Sequence, residues 1–271
     1  MKRVAACCAL LLLACAVAGG QQDWPPALQE LFSKGVEAQK AGRLEEAERI
    51  LLEVLKRDGK ASFVHNNLGI VYQQRGDHAR AIDQFREALR IEPGYPQPRA
   101  LLGSSLLATG RVQEAVKELE QAVKLLPREP LVRLSLARAY ERLGDLQAQV
   151  DQIRALRELA PKEPEYAYLL GRSYARLSAA CYEKIARLHP ASARYHQVAG
   201  ETYFMQGQPE RAVTALERAV KADPRLPGLH LLLAQIYMQQ GKRTEARQEV
   251  ERELAVMPGS AMALALRNQL N

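Results

Sequence analysis

Residues 62–95 read SFVHNNLGIVYQQRGDHARAIDQFREALRIEPGY. Apolar side chains recur at helical spacing as far as Gln74, and Gly76 then signals a turn. A second apolar stripe, closed by Pro93, consists of Ala81, Ile82, Phe85, Ala88 and Leu89. The stretch therefore predicts two antiparallel helices joined by a tight turn. Gly69 and Ala81 are small enough to let the two helix axes approach closely.

The same landmarks recur along the chain at one fixed period. The prolines are spaced by 34, 34, 29, 34 and 34 at Pro93, Pro127, Pro161, Pro190, Pro224 and Pro258. The small residues of the first helix are spaced by 34, 34, 34, 34, 29 and 34 at Gly35, Gly69, Gly103, Ala137, Gly171, Gly200 and Ala234. Two series with the same period and the same defect indicate an array of repeated units.

The unit resembles the tetratricopeptide repeat, whose pattern is W-x2-L-G-x2-Y, then A-x3-F, then P. Residues that match in place are Leu68, Gly69, Tyr72, Ala81, Phe85 and Pro93. Seven copies can be aligned at 28–61, 62–95, 96–129, 130–163, 164–192, 193–226 and 227–260. The resemblance implies an all-α fold, a right-handed superhelix of helix–turn–helix hairpins.

The alignment predicts the organisation of the whole chain. An extended leader at 19–27 precedes repeats 1–4 at 28–163 and a shortened repeat 5 at 164–192. Repeats 6 and 7 follow at 193–260, and residues 261–271 form an amphipathic capping helix that covers the last apolar face. Turn glycines are expected in six repeats, at Gly42, Gly76, Gly110, Gly144, Gly207 and Gly241.

Repeat 5 lacks five residues, and two interpretations of it stay open. The missing residues fall after Leu177, where the turn belongs, and an unbroken apolar stripe runs through Leu170, Tyr174, Leu177, Cys181, Ile185 and Leu188. The stripe favours one continuous helix over 165–189. The alternative is a tight hairpin in which Ser178 caps the second helix. A continuous helix would join two lobes, 26–163 and 190–271.

The first eighteen residues are typical of a secretory signal peptide. Lys2 and Arg3 precede an uncharged stretch from Val4 to Ala18 that is shorter than the roughly 20 residues of a membrane-spanning helix. Cleavage after Ala18 would give a periplasmic or secreted protein. The alternative is an outer-membrane lipoprotein, because Leu12-Leu13-Ala14-Cys15 resembles a lipoprotein box and would place the lipid on Cys15.

The charge and cysteine content of the mature chain exclude several classes of protein. Without residues 1–18, 36 basic residues (38 less Lys2 and Arg3) remain against 31 acidic residues, an excess of +5. No Lys/Arg run indicates a nucleic-acid surface. Cys181 is the single remaining cysteine, so no disulfide can form within the mature chain. Its place in the apolar stripe of repeat 5 predicts a buried, inert thiol.

No catalytic or metal-binding pattern stands out among the polar residues. His65, His196 and His230 share the fourth position of their repeats, where the family pattern has tryptophan, which predicts a packing role. Five tyrosines also share one position and are expected in the core: Tyr72, Tyr140, Tyr174, Tyr203 and Tyr237. Zinc-ligand spacings, nucleophile motifs and phosphate-binding glycine loops are absent from the sequence. No enzymatic activity, metal or cofactor is therefore expected.

The candidate binding surface is the concave groove that first helices line in this family. Residues predicted to bind a partner there are Asn66, Gln73, Arg138, Arg142, Tyr168, Arg172, Arg176 and Phe204. Arginine forks suit carboxylates, so the four arginines are expected to converge on an acidic segment. The aromatic residues would contact the side chains of a peptide.

These features predict a non-enzymatic, exported scaffold that binds a protein or peptide and no nucleic acid. The alternative is a lipid-anchored subunit of an outer-membrane secretion or polysaccharide-export assembly. Contact with a membrane is expected only if Cys15 carries a lipid.

Overall fold

The computed structural model describes residues 24–270. These residues form fourteen α-helices and no β-strand. The chain divides into two compact units, one ending at Tyr174 and the other beginning at Ala175. The prediction of an all-α fold is confirmed.

The first unit consists of four helical hairpins and the beginning of a longer helix. Its hairpins contain α1 Pro26–Lys40, α2 Leu44–Arg57, α3 Ser62–Gln74, α4 His78–Ile91, α5 Pro96–Ala108, α6 Val112–Leu125, α7 Pro130–Leu143 and α8 Leu146–Leu159. Within each hairpin the first helix packs against the second, and successive hairpins also contact each other. One hydrophobic core therefore runs from Trp24 through α7.

The second unit continues with two further hairpins and a terminal helix. Its elements are α10 Ala193–Met205, α11 Pro209–Ala222, α12 Leu229–Gln239, α13 Arg243–Val256 and α14 Ala261–Leu270. Helix α14 packs against α13 and places Leu270 against Ala246 and Val250. It thereby covers an apolar surface that would otherwise face water.

Helix α9 is the exception to the hairpin pattern. It runs from Pro164 to Leu188 as one helix of 25 residues, and the boundary between the two units falls within it. Only Leu170 and Ser173 of this helix are buried. Helix α9 therefore uses little of its surface for packing within the chain.

Glycine performs two different tasks in the hairpins. Gly76, like the other five predicted turn glycines, has a positive φ, between +70° and +83° in the six. Gly69 instead lies inside α3, where a Cβ would come within 2.5 Å of Phe85 Cε1. Its missing side chain sets the distance between the two helices, as the sequence predicts for this position.

The N-terminal edge of the first unit differs from the predicted extended leader at 19–27. Helix α1 already begins at Pro26, because proline suits the first helical position and its missing N–H would have no partner there. Trp24 is buried, with its ring centroid 5.9 Å from that of Phe32 and 5.0 Å from that of Phe63. Its indole N–H donates to Asp58 Oδ2 over 2.7 Å.

Candidate functional site

The candidate site in the first unit is the surface carried by its first helices. Helices α1, α3, α5 and α7 each contact the next in this order, so their side chains form one continuous wall. Gln73 Nε2 donates to Ser105 Oγ over 3.0 Å, which joins α3 to α5. Asn66, also on α3, is buried to 2% exposure, and its Oδ1 has no hydrogen-bond partner within residues 24–270. These two predicted site residues thus belong as much to the packing of the wall as to its surface.

Arg138 and Arg142 lie one helical turn apart on α7 and are both exposed. Arg142 Nη1 donates to the carbonyl oxygen of Leu107 over 2.6 Å, near the C-terminal end of α5. The same carbonyl accepts from the backbone N–H of Gly110, so Arg142 adds a second donor at this helix end and joins repeat 4 to repeat 3. Arg138 has no hydrogen-bond or ion-pair partner among the described residues, so its whole guanidinium group is available to a ligand.

Tyr168 and Arg172 extend the exposed surface onto the part of α9 that belongs to the first unit. The Arg172 guanidinium carbon lies 5.7 Å from the centroid of the Tyr168 ring, within cation–π range. Tyr168 itself is 60% exposed. The pair presents a flat ring beside a positive charge.

The remaining predicted site residues belong to the second unit. Arg176 is exposed on α9, and Phe204 is half-buried on α10 against a core that contains Leu216. The predicted set of eight residues is thus divided between the two units. Convergence of all four arginines on one ligand stays a prediction.

One polar contact that recurs within the hairpins was not predicted from the sequence. In four repeats the fourth residue bonds to the residue 19 positions later, on the second helix: His65 to Gln84, Arg99 to Glu118, Arg133 to Gln152, and His230 to Glu249. The His230–Glu249 bond is 2.6 Å long and buried. The recurring spacing of 19 between a basic residue and Gln or Glu was the available signal. These bonds give His65 and His230 a role in stabilising the fold.

Tyrosines at the shared repeat position connect neighbouring repeats. The Tyr72 hydroxyl donates to Glu48 over 2.9 Å, and that of Tyr140 donates to Glu120 over 2.6 Å. Burial, followed by the nearby carboxylate, raises the pKa of both phenols. Both hydroxyl groups therefore stay protonated as donors across the physiological pH range.

Two predictions about α9 are wrong. Cys181 is exposed, not buried, and Tyr174 is 43% exposed, unlike Tyr72 at 5%. Both predictions assumed that an apolar stripe has a second helix to cover it. In repeat 5 the residues that should supply that helix continue α9 instead.

The described part of the chain contains no group of three or more His, Cys, Asp or Glu side chains that could hold a metal ion. In the same part, none of the helices combines the length and the apolar character that crossing a membrane requires.

The hairpins, their glycine contacts and their stacked first helices define a helical-repeat protein. Models of the tetratricopeptide repeat match residues 32–96, 101–164, 168–227 and 203–270, which together make up most of the chain. The chain therefore belongs to the tetratricopeptide repeat family, and the predicted resemblance is confirmed. Repeats of this kind form scaffolds for protein–protein interaction.

Several solved structures resemble this chain at low sequence identity. A tetratricopeptide repeat protein from Parabacteroides merdae is 16% identical, with a TM-score of 0.51, and the match covers 91% of this chain and 99% of that one. The pilF protein of Pseudomonas aeruginosa is 15% identical, with a TM-score of 0.49, over 92% of this chain and 99% of that one.

The APC/C hetero-tetramer Cut9–Hcn1 is 18% identical with a TM-score of 0.45, and the match covers 90% of this chain. This chain spans only 42% of the length of that one. No curated protein matches significantly. Identities this low show the shared fold alone.

Proposed function

We propose that this protein is a non-enzymatic, exported scaffold whose first helices bind an acidic peptide segment or a component of a protein complex. The observation that supports the proposal most directly is Arg138, which is exposed on the wall of first helices and has no partner within the described residues. A guanidinium group presents five donors in a planar fork that matches a carboxylate. An acidic side chain or a chain terminus would satisfy it.

The surroundings of Arg138 suit a peptide better than a small molecule. Arg142, one turn along the same helix, already donates to Leu107 and still offers its remaining N–H groups. Tyr168 with Arg172 adds an aromatic surface that can stack on a peptide bond or a ring.

The remaining polar residues support a scaffold and not a catalyst. His65 and His230 bond to second-helix partners inside their own hairpins. Buried Glu253 accepts from the backbone N–H groups of Gly228 and Leu231, which places its carboxylate at the start of α12. These side chains stabilise the repeats.

The binding proposal can be tested with an array of synthetic peptides of equal length and graded acidic content. Replacing Arg138 and Arg172 together by Ala should weaken binding of acidic peptides by at least roughly tenfold, because a desolvated charge-assisted bond contributes ~1.5–3 kcal/mol. Thermal stability should stay almost unchanged, since both arginines are exposed. Arg138→Ala alone should show part of the same loss.

The matched control replaces Arg49 and Arg128 by Ala. These arginines are exposed and lie outside the first helices, so the net charge changes by the same amount. Equal loss in the control would indicate a general charge effect, and undiminished binding by the Arg138 and Arg172 variant would overturn the proposed site.

Export is tested separately, by mass spectrometry of the mature N-terminus. The signal-peptide residues 1–18 and Cys15 lie outside the described residues. A chain that begins at residue 19 supports the exported scaffold, whereas an acylated Cys15 favours the lipid-anchored subunit of an outer-membrane assembly. An intact N-terminal methionine followed by residues 2–18 would contradict export.

A further inference from the structure

In the complete hairpins a small residue of the first helix faces a larger residue of the second helix 16 positions later. Glycine faces leucine or phenylalanine, and alanine faces a β-branched residue. The pairs are Gly35–Leu51, Gly69–Phe85, Gly103–Leu119, Ala137–Ile153, Gly200–Leu216 and Ala234–Val250. For the four glycines, a Cβ would come within 2.5–3.1 Å of the partner side chain. The sizes of the two residues are therefore matched.

Repeat 5 keeps this pair but cannot form the contact. Gly171 and Tyr182 hold the two positions, counted from the front of the repeat and from Pro190. Eleven residues of one continuous helix separate them by roughly 16 Å along the axis. Gly171 accordingly has nothing within 4 Å of a Cβ, and Tyr182 is 40% exposed.

The unpartnered residues belong to one uncharged face of α9. At 3.6 residues per turn, every residue of α9 within about 80° of Gly171 around the helix axis is uncharged. Exposed residues on this face include Ala167, Tyr168, Gly171, Ala175 and Tyr182. At one edge of the face, the partly exposed Tyr174 accepts hydrogen bonds from Arg154 of α8. In a complete hairpin these positions of the first and second helices pack against each other. In α9 both sets of positions lie on one helix, one after the other.

We propose that a second copy of this chain covers the face, through an antiparallel pairing of two α9 helices about a two-fold axis. In this pairing Gly171 of each copy faces Tyr182 of the other, which restores both small–large contacts. The axis then passes between positions 176 and 177, and the central residue of α9 is residue 176. The midpoint of α9 therefore nearly coincides with the two-fold axis, and almost the whole length of the helix can pair.

The charged edge of the face is complementary to itself. Arg172 and Glu183 lie on the same side of α9, about 100° and 120° from Gly171. A two-fold axis brings this side of one helix against the same side of the other. Measured along the helices, Arg172 then lies within roughly 3 Å of Glu183 in the second copy. Two ion pairs can therefore flank the apolar contact.

The second unit offers room for the incoming helix. A groove of about 420 Å³ lies between the second half of α9 and α10, and its walls include Tyr182, Ala186, Val198 and Tyr203. In a complete repeat this space beside a second helix belongs to the first helix of the same hairpin. The first half of α9 from the second copy is the segment with the matching sequence.

This inference does not depend on the peptide-binding proposal. Tyr168 and Arg172 belong to both surfaces, but Arg138 lies on α7 and affects peptide binding alone. Arg138→Ala should therefore leave the oligomeric state unchanged.

The oligomeric state of the full mature chain is the first test, by analytical ultracentrifugation over a range of concentrations. We expect a monomer–dimer equilibrium. Tyr182→Glu should raise the dissociation constant at least tenfold, because the pairing would bury an unpartnered carboxylate. Tyr182→Phe should keep the dimer, as Phe85 fills the equivalent position in repeat 2. A wild-type chain that stays monomeric at every concentration would overturn the proposal.

A charge exchange tests the register. Arg172→Glu and Glu183→Arg should each weaken the dimer, because each brings like charges together, and the double exchange should restore it. Lys184→Glu, on the opposite side of α9, is the matched control and should have no effect. Failure of the double exchange to restore association would exclude this pairing.

Crosslinking tests the direction of the pairing, in a Cys181→Ser background. Two copies of Ser178→Cys lie near the two-fold axis, offset by only about 4–5 Å along the helices, and a short bismaleimide should join them. Two copies of Ala167→Cys lie roughly 30 Å apart along the helices and should not be joined. If both variants are crosslinked, the two helices are parallel. If neither is crosslinked, the second copy does not occupy this face. Either result contradicts the proposal.

Discussion

Gly69 and Gly171 occupy the same position of the repeat, yet their surroundings are opposite. A Cβ on Gly69 would collide with the Phe85 ring, whereas one on Gly171 would meet nothing within 4 Å. The difference comes from the connection between the two halves of the repeat, since α3 is followed by a glycine turn and α9 continues. The packing residues therefore specify surfaces that fit each other, and the turn decides whether one chain can bring them together.

The largest difference in stability is expected between alanine substitutions of Phe85 and Tyr182, the residues at the positions that pair with Gly69 and Gly171 in the repeat pattern. Phe85→Ala should lower the free energy of unfolding by about 3–5 kcal/mol, because it removes a fully buried ring. Tyr182→Ala should cost only about 1 kcal/mol in the monomer, since its side chain is 40% exposed and otherwise lines the groove beside α10. Urea unfolding at dilute protein concentration measures both. Equal losses would mean that Tyr182 is packed within its own chain as fully as Phe85 is.

A proline substitution at Ala179 tests whether this residue lies inside a continuous helix or at the start of a second helix. Ala179→Pro should destabilise by about 3 kcal/mol or more, because it breaks a hydrogen bond inside α9 and clashes with the preceding turn. His78→Pro is the control, because His78 begins α4 where Pro209 begins α11, and there proline should be tolerated. Thermal unfolding followed by circular dichroism compares them. Tolerance of Ala179→Pro would favour the tight hairpin after Ser178.

The smallest expected effects are those of alanine at Gly69 and Gly171, which should change the free energy of unfolding in opposite directions. Gly69→Ala should cost about 1–3 kcal/mol through overpacking against Phe85. Gly171→Ala should raise the stability of the monomer by about 0.5–1 kcal/mol, because alanine is the better helix former and meets no neighbour. The same substitution should weaken the α9 pairing. Destabilisation of the dilute monomer by Gly171→Ala would contradict an open face.

The fold was predictable because its determinants are periodic and local. Leu68, Gly69, Tyr72, Ala81 and Phe85 lie within one hairpin, and the pattern they form recurs at the fixed period of the repeat. Each repeat therefore confirms the interpretation of the others. The positive φ of Gly76 follows the same logic, since a tight turn between antiparallel helices requires a left-handed residue.

The site was less predictable because its contacts join different repeats. Nothing in the sequence near Arg142 shows that its guanidinium group reaches Leu107 in the preceding repeat. The burial of Asn66 likewise depends on how neighbouring first helices stack. The exposure of Cys181 was mispredicted for a related reason, since a stripe shows that a surface is apolar but not what covers it. Trp24 precedes the repeats and follows no period.

The position of Trp24 has a spectroscopic consequence. It is the chain's one tryptophan, and it lies at the start of the first unit, packed against Phe32 and Phe63 with its indole N–H bonded to Asp58. Its emission therefore reports on the first two hairpins, whereas far-ultraviolet dichroism averages over all fourteen helices of the described chain. Since repeat arrays can unravel from their ends, the wild-type protein already carries an optical label that distinguishes fraying of its N-terminal end from melting of the remainder.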